Sequence, residues 1–255
     1  MRSENGENED MDIIVIDTEG FGGIDEGVNH DTRIFLFSLL LSSFFIYNSV
    51  GSIDESTLNS LSLIVNLAKD IQTKVSNSKG DHGLESFFPS FLWVVRDFAL
   101  KMIDAEGRSI SSKDYMEKAL ENQKGVSDTV ESKNRIRRLI KHFFVDRDCS
   151  TLVRPLESEN DLQKMDKLSN DELRPEFVEQ MTKTRSKIFK KVKPKNLFGQ
   201  DLTPTMFLDL CKSYIEAVNN GSVPVIENSW TYVIKQEADK NVRSKEPIHL
   251  FRIDL

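Results

Sequence analysis

Apolar residues in this chain fall into two patterns, short unbroken runs bounded by turn residues and longer stretches spaced three and four apart. The short runs predict strands over Asp12 to Asp17, Phe44 to Tyr47, Phe91 to Val95 and Cys149 to Val153. Thr32 to Ser43 is apolar nearly all round, which predicts a buried helix. Ser52-Ile-Asp-Glu55 matches a capping box and opens a predicted helix to about Val75, with Leu58, Leu61, Ile64, Val65, Leu67 and Ile71 at helical spacing. Further helices are predicted over Ser112 to Gln123 and Asn134 to Phe144, and after Pro155 over Asp161–Leu168, Pro175–Val192 and Thr203–Asn219. Strands alternating with helices through long crossovers predict an α/β fold, a mostly parallel central sheet flanked by helices, with a helical C-terminal portion. Residues 1–11 read as a disordered leader and Asn77 to Gly83 as a polar surface loop.

Composition narrows the function classes. A net charge of −7 argues against coating nucleic acid. The basic runs Arg135–Lys141 and Lys187–Lys195 are interleaved with apolar residues and read as solvated helix faces. Two cysteines, Cys149 and Cys211, make neither a disulfide framework nor a metal cluster, and the four histidines fall in no ligand spacing. Reduced thiols suit a cytoplasmic protein. The acidic N-terminus is not a signal peptide, and the longest apolar stretch, Ile34 to Tyr47, falls short of the ~20 residues of a membrane span.

Two strand ends carry candidate chemistry. Ile13-Ile-Val-Ile runs into Asp17-Thr-Glu-Gly20, and an aspartate closing a buried strand before such a glycine suits a water-mediated Mg²⁺ contact, with the Gly20 N–H turned to a terminal phosphate. The bland alternative is a strand end entering a glycine turn. Phe91-Leu-Trp-Val-Val95 runs into Arg96-Asp97, and a carboxylate there can accept from the N1–H and N2–H₂ of guanine together, a donor pair adenine lacks. Arg96 can flank the base or the phosphates; a surface salt bridge is the alternative. Asn48 and Gly51 follow a third strand end, where turn chemistry is the simplest account. Asp81, His82 and Glu85 lie in a polar stretch and read as solvated.

Asp17-Thr-Glu-Gly20, Tyr47-Asn-Ser-Val-Gly51-Ser-Ile, Phe87-Phe-Pro-Ser-Phe-Leu-Trp-Val-Val-Arg-Asp-Phe98 and Asp171-Glu-Leu-Arg-Pro-Glu-Phe-Val178 occur in one order and spacing. Together they resemble the large GTPase domain of guanylate-binding proteins, in the dynamin superfamily, from about Asp12 to Asn228. The resemblance implies a P-loop GTPase-like fold, here N-terminally incomplete, that binds GTP and GDP with Mg²⁺ and hydrolyses GTP. It assigns the Mg²⁺ and γ-phosphate motif to Asp17 and Gly20, lined by Thr18, Glu19 and Phe21. It assigns base specificity to Arg96 and Asp97. It makes Leu152, Arg154 and Pro155 part of a segment, to about Leu168, that caps the guanine and contributes to a face for homodimers or heterodimers.

The resemblance has gaps. No G-x-x-x-x-G-K-[ST] loop occurs, and only the acidic leader precedes the Asp-x-x-Gly run, where the family places its phosphate loop, lysine, catalytic arginine and switch. Residues 229–255 diverge and read as the start of a truncated helical region. The expectation is a fragment of a GTP hydrolase that is inactive by itself, since an arginine finger alone is worth ~10³–10⁵ in rate. The alternative is an inactive pseudo-GTPase that acts as an interaction module, pairing with full-length relatives.

Overall fold

The computed structural model describes residues 12–18, 28–61, 87–220 and 225–244, without the side chains of 28–33 and 241–244. The chain divides into two compact units, Met1–Lys195 and Asn196–Leu255.

The first unit runs α1 (Val28–Leu41), β1 (Phe44–Val50), α2 (Glu55–Ser60), β2 (Ser90–Arg96), α3 (Ser112–Ala119), α4 (Asp128–Phe143), β3 (Arg147–Thr151), α5 (Glu159–Leu162) and α6 (Pro175–Lys191). Its sheet has the order β1-β2-β3 and is parallel throughout, with Tyr47 beside Trp93 and Trp93 beside Cys149. β2 is buried from Phe91 to Val95 because it is central and covered on both faces. On one face Phe45, Phe91 and Phe144 stack, with Phe91 and Phe144 centroids 4.5 Å apart, and Phe35 of α1 meets Phe45 edge-on at 5.6 Å. On the other, Leu92, Val94 and Leu152 pack under Phe177 and Ile188 of α6. This is the predicted α/β arrangement, and three of the four expected strands form within a few residues of their expected bounds.

The fourth does not form. Asp12 to Asp17 was expected as a buried strand, yet 13–18 takes no regular structure and Ile14, Val15 and Ile16 are 66%, 81% and 47% exposed. An apolar run specifies a strand only where a neighbour supplies a ladder and both faces are covered, and neither condition can be read from the run itself.

Two other expectations change in detail. The N-cap of α2 is Asp54, not Ser52: its carboxylate accepts from Thr57 N and Thr57 Oγ1, both at 2.8 Å. With Asp54 as the cap, Glu55 stands at the first helical position and not the third, so it makes no box with Ser52, and its carboxylate pairs with Arg137. That same pair corrects the reading of Arg135–Lys141 as a solvated face. Arg137 is 4% exposed and also donates to the Ala119 carbonyl at 3.1 Å. In the second basic run Lys187 and Lys191 point inward to Asp148, at 3.0 and 3.2 Å, and anchor α6 to β3. Burial alone would raise the Asp148 carboxyl, but the Lys187 hydrogen bond, the Cys149 N–H and Lys191 outweigh it and hold it below the usual carboxylate range. The leader 1–11, the 77–83 loop and the helix beyond Leu61 lie outside the described residues.

The second unit holds a two-residue hairpin, β4 (Asn196–Leu197) with β5 (Gln200–Asp201), and helices α7 (Pro204–Asn219) and α8 (Ile226–Ser244). Thr203 caps α7, with Pro204 at its first position. Buried Asp209 of α7 receives Lys240 of α8 at 2.7 Å. Among the described residues no helix is long and apolar enough to cross a membrane.

Candidate functional site

The carboxyl ends of β1, β2 and β3 converge on Arg96 and Asp97. Backbone bonds continue past the strands on either side of this pair. Gly51 N donates to the Arg96 carbonyl at 2.8 Å, Leu152 N to the Val95 carbonyl at 2.8 Å, and Phe98 N to the Leu152 carbonyl at 2.9 Å. Asp97, between two bonded residues, has a φ of 52°, in the left-handed region. That conformation is uncommon for a residue with a Cβ, though aspartate tolerates it better than most. It breaks the strand and leaves Asp97 exposed directly beyond the buried core of β2.

Asp97 lines a concavity of about 570 Å³ whose other walls include Phe98, Met102, Arg154, Arg174 and Gln180. The segment after β3 is fixed against it by α6. Gln180 Oε1 accepts from Val153 N at 2.7 Å, Arg174 donates to the Arg154 carbonyl at 3.3 Å, and Arg174 N donates to the Pro155 carbonyl at 2.9 Å. The two guanidiniums at the rim carry partners, Arg154 with Glu159 at 2.6 Å and Arg174 with Glu176 at 3.1 Å. Leu152 and Pro155 are buried beneath this segment, whereas Arg154 is half-buried at its surface.

Of the residues singled out from sequence, Asp97 and Arg154 therefore share one concavity, whereas Leu152 belongs to the core behind it and accepts from Phe98 N through its carbonyl. Arg96 lies exposed on the strand end beside it, its Nε donating to Asn48 Oδ1 at 2.9 Å. Asp17 and Thr18 are exposed and do not line it. Glu19, Gly20 and Phe21 lie outside the described residues. Sequence reading passed over Gln180 and Arg174, although Arg174 stands within the Asp171–Val178 motif. Only the fold shows that α6 returns to clasp the end of β3.

The fit of a Mg²⁺ ion can be judged from the donors. Among the described residues no group of three or more His, Cys, Asp or Glu could hold a metal. Asp17 offers one exposed carboxylate, so a Mg²⁺ shell there needs oxygens from water and phosphate. The described residues do not by themselves make a resident metal site.

The sequence model described as "Guanylate-binding protein, N-terminal domain" matches residues 2–197. Guanylate-binding protein 1 of Homo sapiens is 34% identical over 225 residues, covering 85% of this chain and 38% of that protein. Guanylate-binding protein 6 of Mus musculus is 36% identical over 231 residues, covering 88% of this chain and 38% of that protein. Guanylate-binding protein 4 of Homo sapiens is 33% identical over 231 residues, covering 88% and 36%. The chain thus spans well under half the length of these relatives.

Proposed function

Because this chain belongs to the guanylate-binding protein family, we propose that it recognises the guanine base of GTP and GDP through Asp97, as part of a GTP-hydrolysing large GTPase. The observation that supports this most directly is the exposed carboxylate, turned out of the sheet at φ 52° and lining a concavity at the strand ends. There it accepts from guanine N1–H and N2–H₂ in two charge-assisted hydrogen bonds. Arg96 supplies a cation to the base or the phosphates. The segment that begins at Leu152 and carries Arg154 and Pro155, clasped by Gln180 and Arg174, would cap the base, with Leu152 and Pro155 anchoring it from within. Asp17, Thr18, Glu19, Gly20 and Phe21 would face the phosphates and their Mg²⁺. Bound metal would neutralise charge on the β- and γ-phosphates.

No G-x-x-x-x-G-K-[ST] stretch occurs in the 255 residues. We therefore assign base recognition to this chain and cleavage of the γ-phosphate to groups it does not include. A cytoplasmic site of action accords with the free thiols of Cys149 and Cys211.

The test is nucleotide selectivity. The chain should bind a fluorescent GDP in preference to the ADP analogue, and Asp97→Asn should transfer that preference to xanthosine diphosphate, whose N1–C2 edge offers an acceptor where guanine offers a donor. Equal binding of guanine and adenine nucleotides, or a guanine preference untouched in Asp97→Asn, removes the base-reading role.

A second reading is favoured by the exposure of Glu157 to Asp161 and Gln163 to Lys167, displayed after the clasped end of β3. Here the chain pairs through that face, as a homodimer or with longer relatives, without cleaving GTP. Sedimentation as a monomer at every concentration, with or without GTP and a longer relative, would dismiss this reading.

A further inference from the structure

Asn48 lies inside β1, opposite Val94 of β2, and not in the turn that follows. Asparagine is disfavoured within strands, so its presence there calls for a compensating bond. The Tyr47–Gly51 stretch in fact grips the second half of β2 at three points. On the buried face Ser49 Oγ accepts from Trp93 Nε1 at 2.9 Å. On the exposed face Asn48 Oδ1 accepts from Arg96 Nε at 2.9 Å. At the strand end Gly51, at φ 86°, donates its N–H to the Arg96 carbonyl at 2.8 Å.

These bonds fix Arg96 twice, through its backbone and through its side chain. A guanidinium has donors only, so it is the amide oxygen of Asn48 that faces it. Nε is the innermost donor of the group. Holding it sets the plane of the guanidinium and leaves both terminal nitrogens free to reach a ligand. An exposed arginine otherwise samples many rotamers, and ordering it on binding would reduce affinity.

We infer that Asn48 is a positioning residue for base recognition: it orients the Arg96 guanidinium at the strand end that carries Asp97. This rests on the guanine-reading role proposed above and adds to it a residue that touches no nucleotide. It also accounts for the Tyr-Asn-Ser-x-Gly motif, whose polar members each bond to β2.

Four forms of the 255-residue chain test it: wild type, Asn48→Leu, Asn48→Asp and Arg96→Ala, with the Asn48→Leu/Arg96→Ala double variant closing a cycle. Asn48→Leu keeps the shape and removes the acceptor, whereas Asn48→Asp keeps an acceptor oxygen. Titration with fluorescent GDP should show roughly five- to twentyfold weaker binding for Asn48→Leu, a change near twofold for Asn48→Asp, and a double variant no weaker than Arg96→Ala alone. Fully additive losses, or equal losses in the leucine and aspartate variants, overturn the inference.

A second readout does not depend on nucleotide. In ¹⁵N-labelled protein the Arg96 Nε–H should exchange slowly with solvent in the wild type and Asn48→Asp, and fast in Asn48→Leu. Equal exchange in all three overturns the inference even if guanine binding stands. If wild type binds no guanine nucleotide, the proposed function falls, and the exchange rates alone decide whether Asn48 orients Arg96.

Discussion

Lys195 carries its ammonium group to two backbone carbonyls, Ser42 at 2.9 Å and Phe87 at 3.2 Å, where α1 ends and β2 is about to begin. Burial pushes its pKa down from 10.5 to about 8. An unfolded chain keeps that proton to about pH 10.4. Below pH 8 the lysine is charged in both states and the full burial penalty is present. Between pH 8 and 10.5 the unfolded state binds more protons than the folded one, so this residue makes stability rise with pH. Urea unfolding of the wild type should therefore show a rise across that window which Lys195→Met lacks. The same slope in both proteins would refute the assignment. By sequence Lys195 reads as part of a solvated face, because the basic run that it ends is interleaved with apolar residues. Its route into the fold depends on where the ends of α1 and β2 lie, which no local pattern records.

At the scale of elements, α2, α3 and α4 meet at Arg137. Its guanidinium pairs with Glu55 of α2 and donates to the Ala119 carbonyl at the end of α3. Beside it Gln123 and Asn134 exchange two hydrogen bonds, at 2.7 and 2.9 Å. The Arg137 guanidinium is buried while Glu55 is one-third exposed, so Glu55→Ala, which leaves the guanidinium without its carboxylate, should destabilise the chain by about 1–3 kcal/mol, whereas Arg137→Met with Glu55→Met should lose less. Denaturant midpoints of the three proteins decide it, and comparable losses for the single and the double variant would show that the charge is not what matters there. Helix starts were only partly legible. The helix after Gly51 is visible in the sequence, but its cap lies two residues later than the match at Ser52, because a capping-box match counts residue types and cannot tell that Asp54 also qualifies as a cap. The central strands were legible for the opposite reason. Burial on both faces imposes an unbroken apolar run, and Phe91–Val95 has one.

For the molecule as a whole, the alternation of strand and helix sufficed to give an α/β fold with a parallel sheet; of the two acids read as strand ends, Asp97 follows a strand and lines a concavity, whereas Asp17 ends no regular element. The residues that shape that concavity were not legible. Gln180 and Arg174 act from a helix that returns from far along the chain, and Asn48 acts on a residue of the neighbouring strand, so each depends on topology rather than on spacing. Least legible was the Ile13–Ile16 run, whose hydrophobicity is evident and whose covering is not a property of the run. Three adjacent apolar side chains, Ile14, Val15 and Ile16, stand largely in water. Such a segment is a template for pairing with another chain, and at low ionic strength the net charge of −7 opposes that contact. Salt that screens charge beyond about 8–10 Å removes the opposition and leaves the attraction. In the test tube, then, light scattering of the pure protein should rise as salt is added to a dilute buffer, and a solution equally clear at every ionic strength would show that this run does not pair.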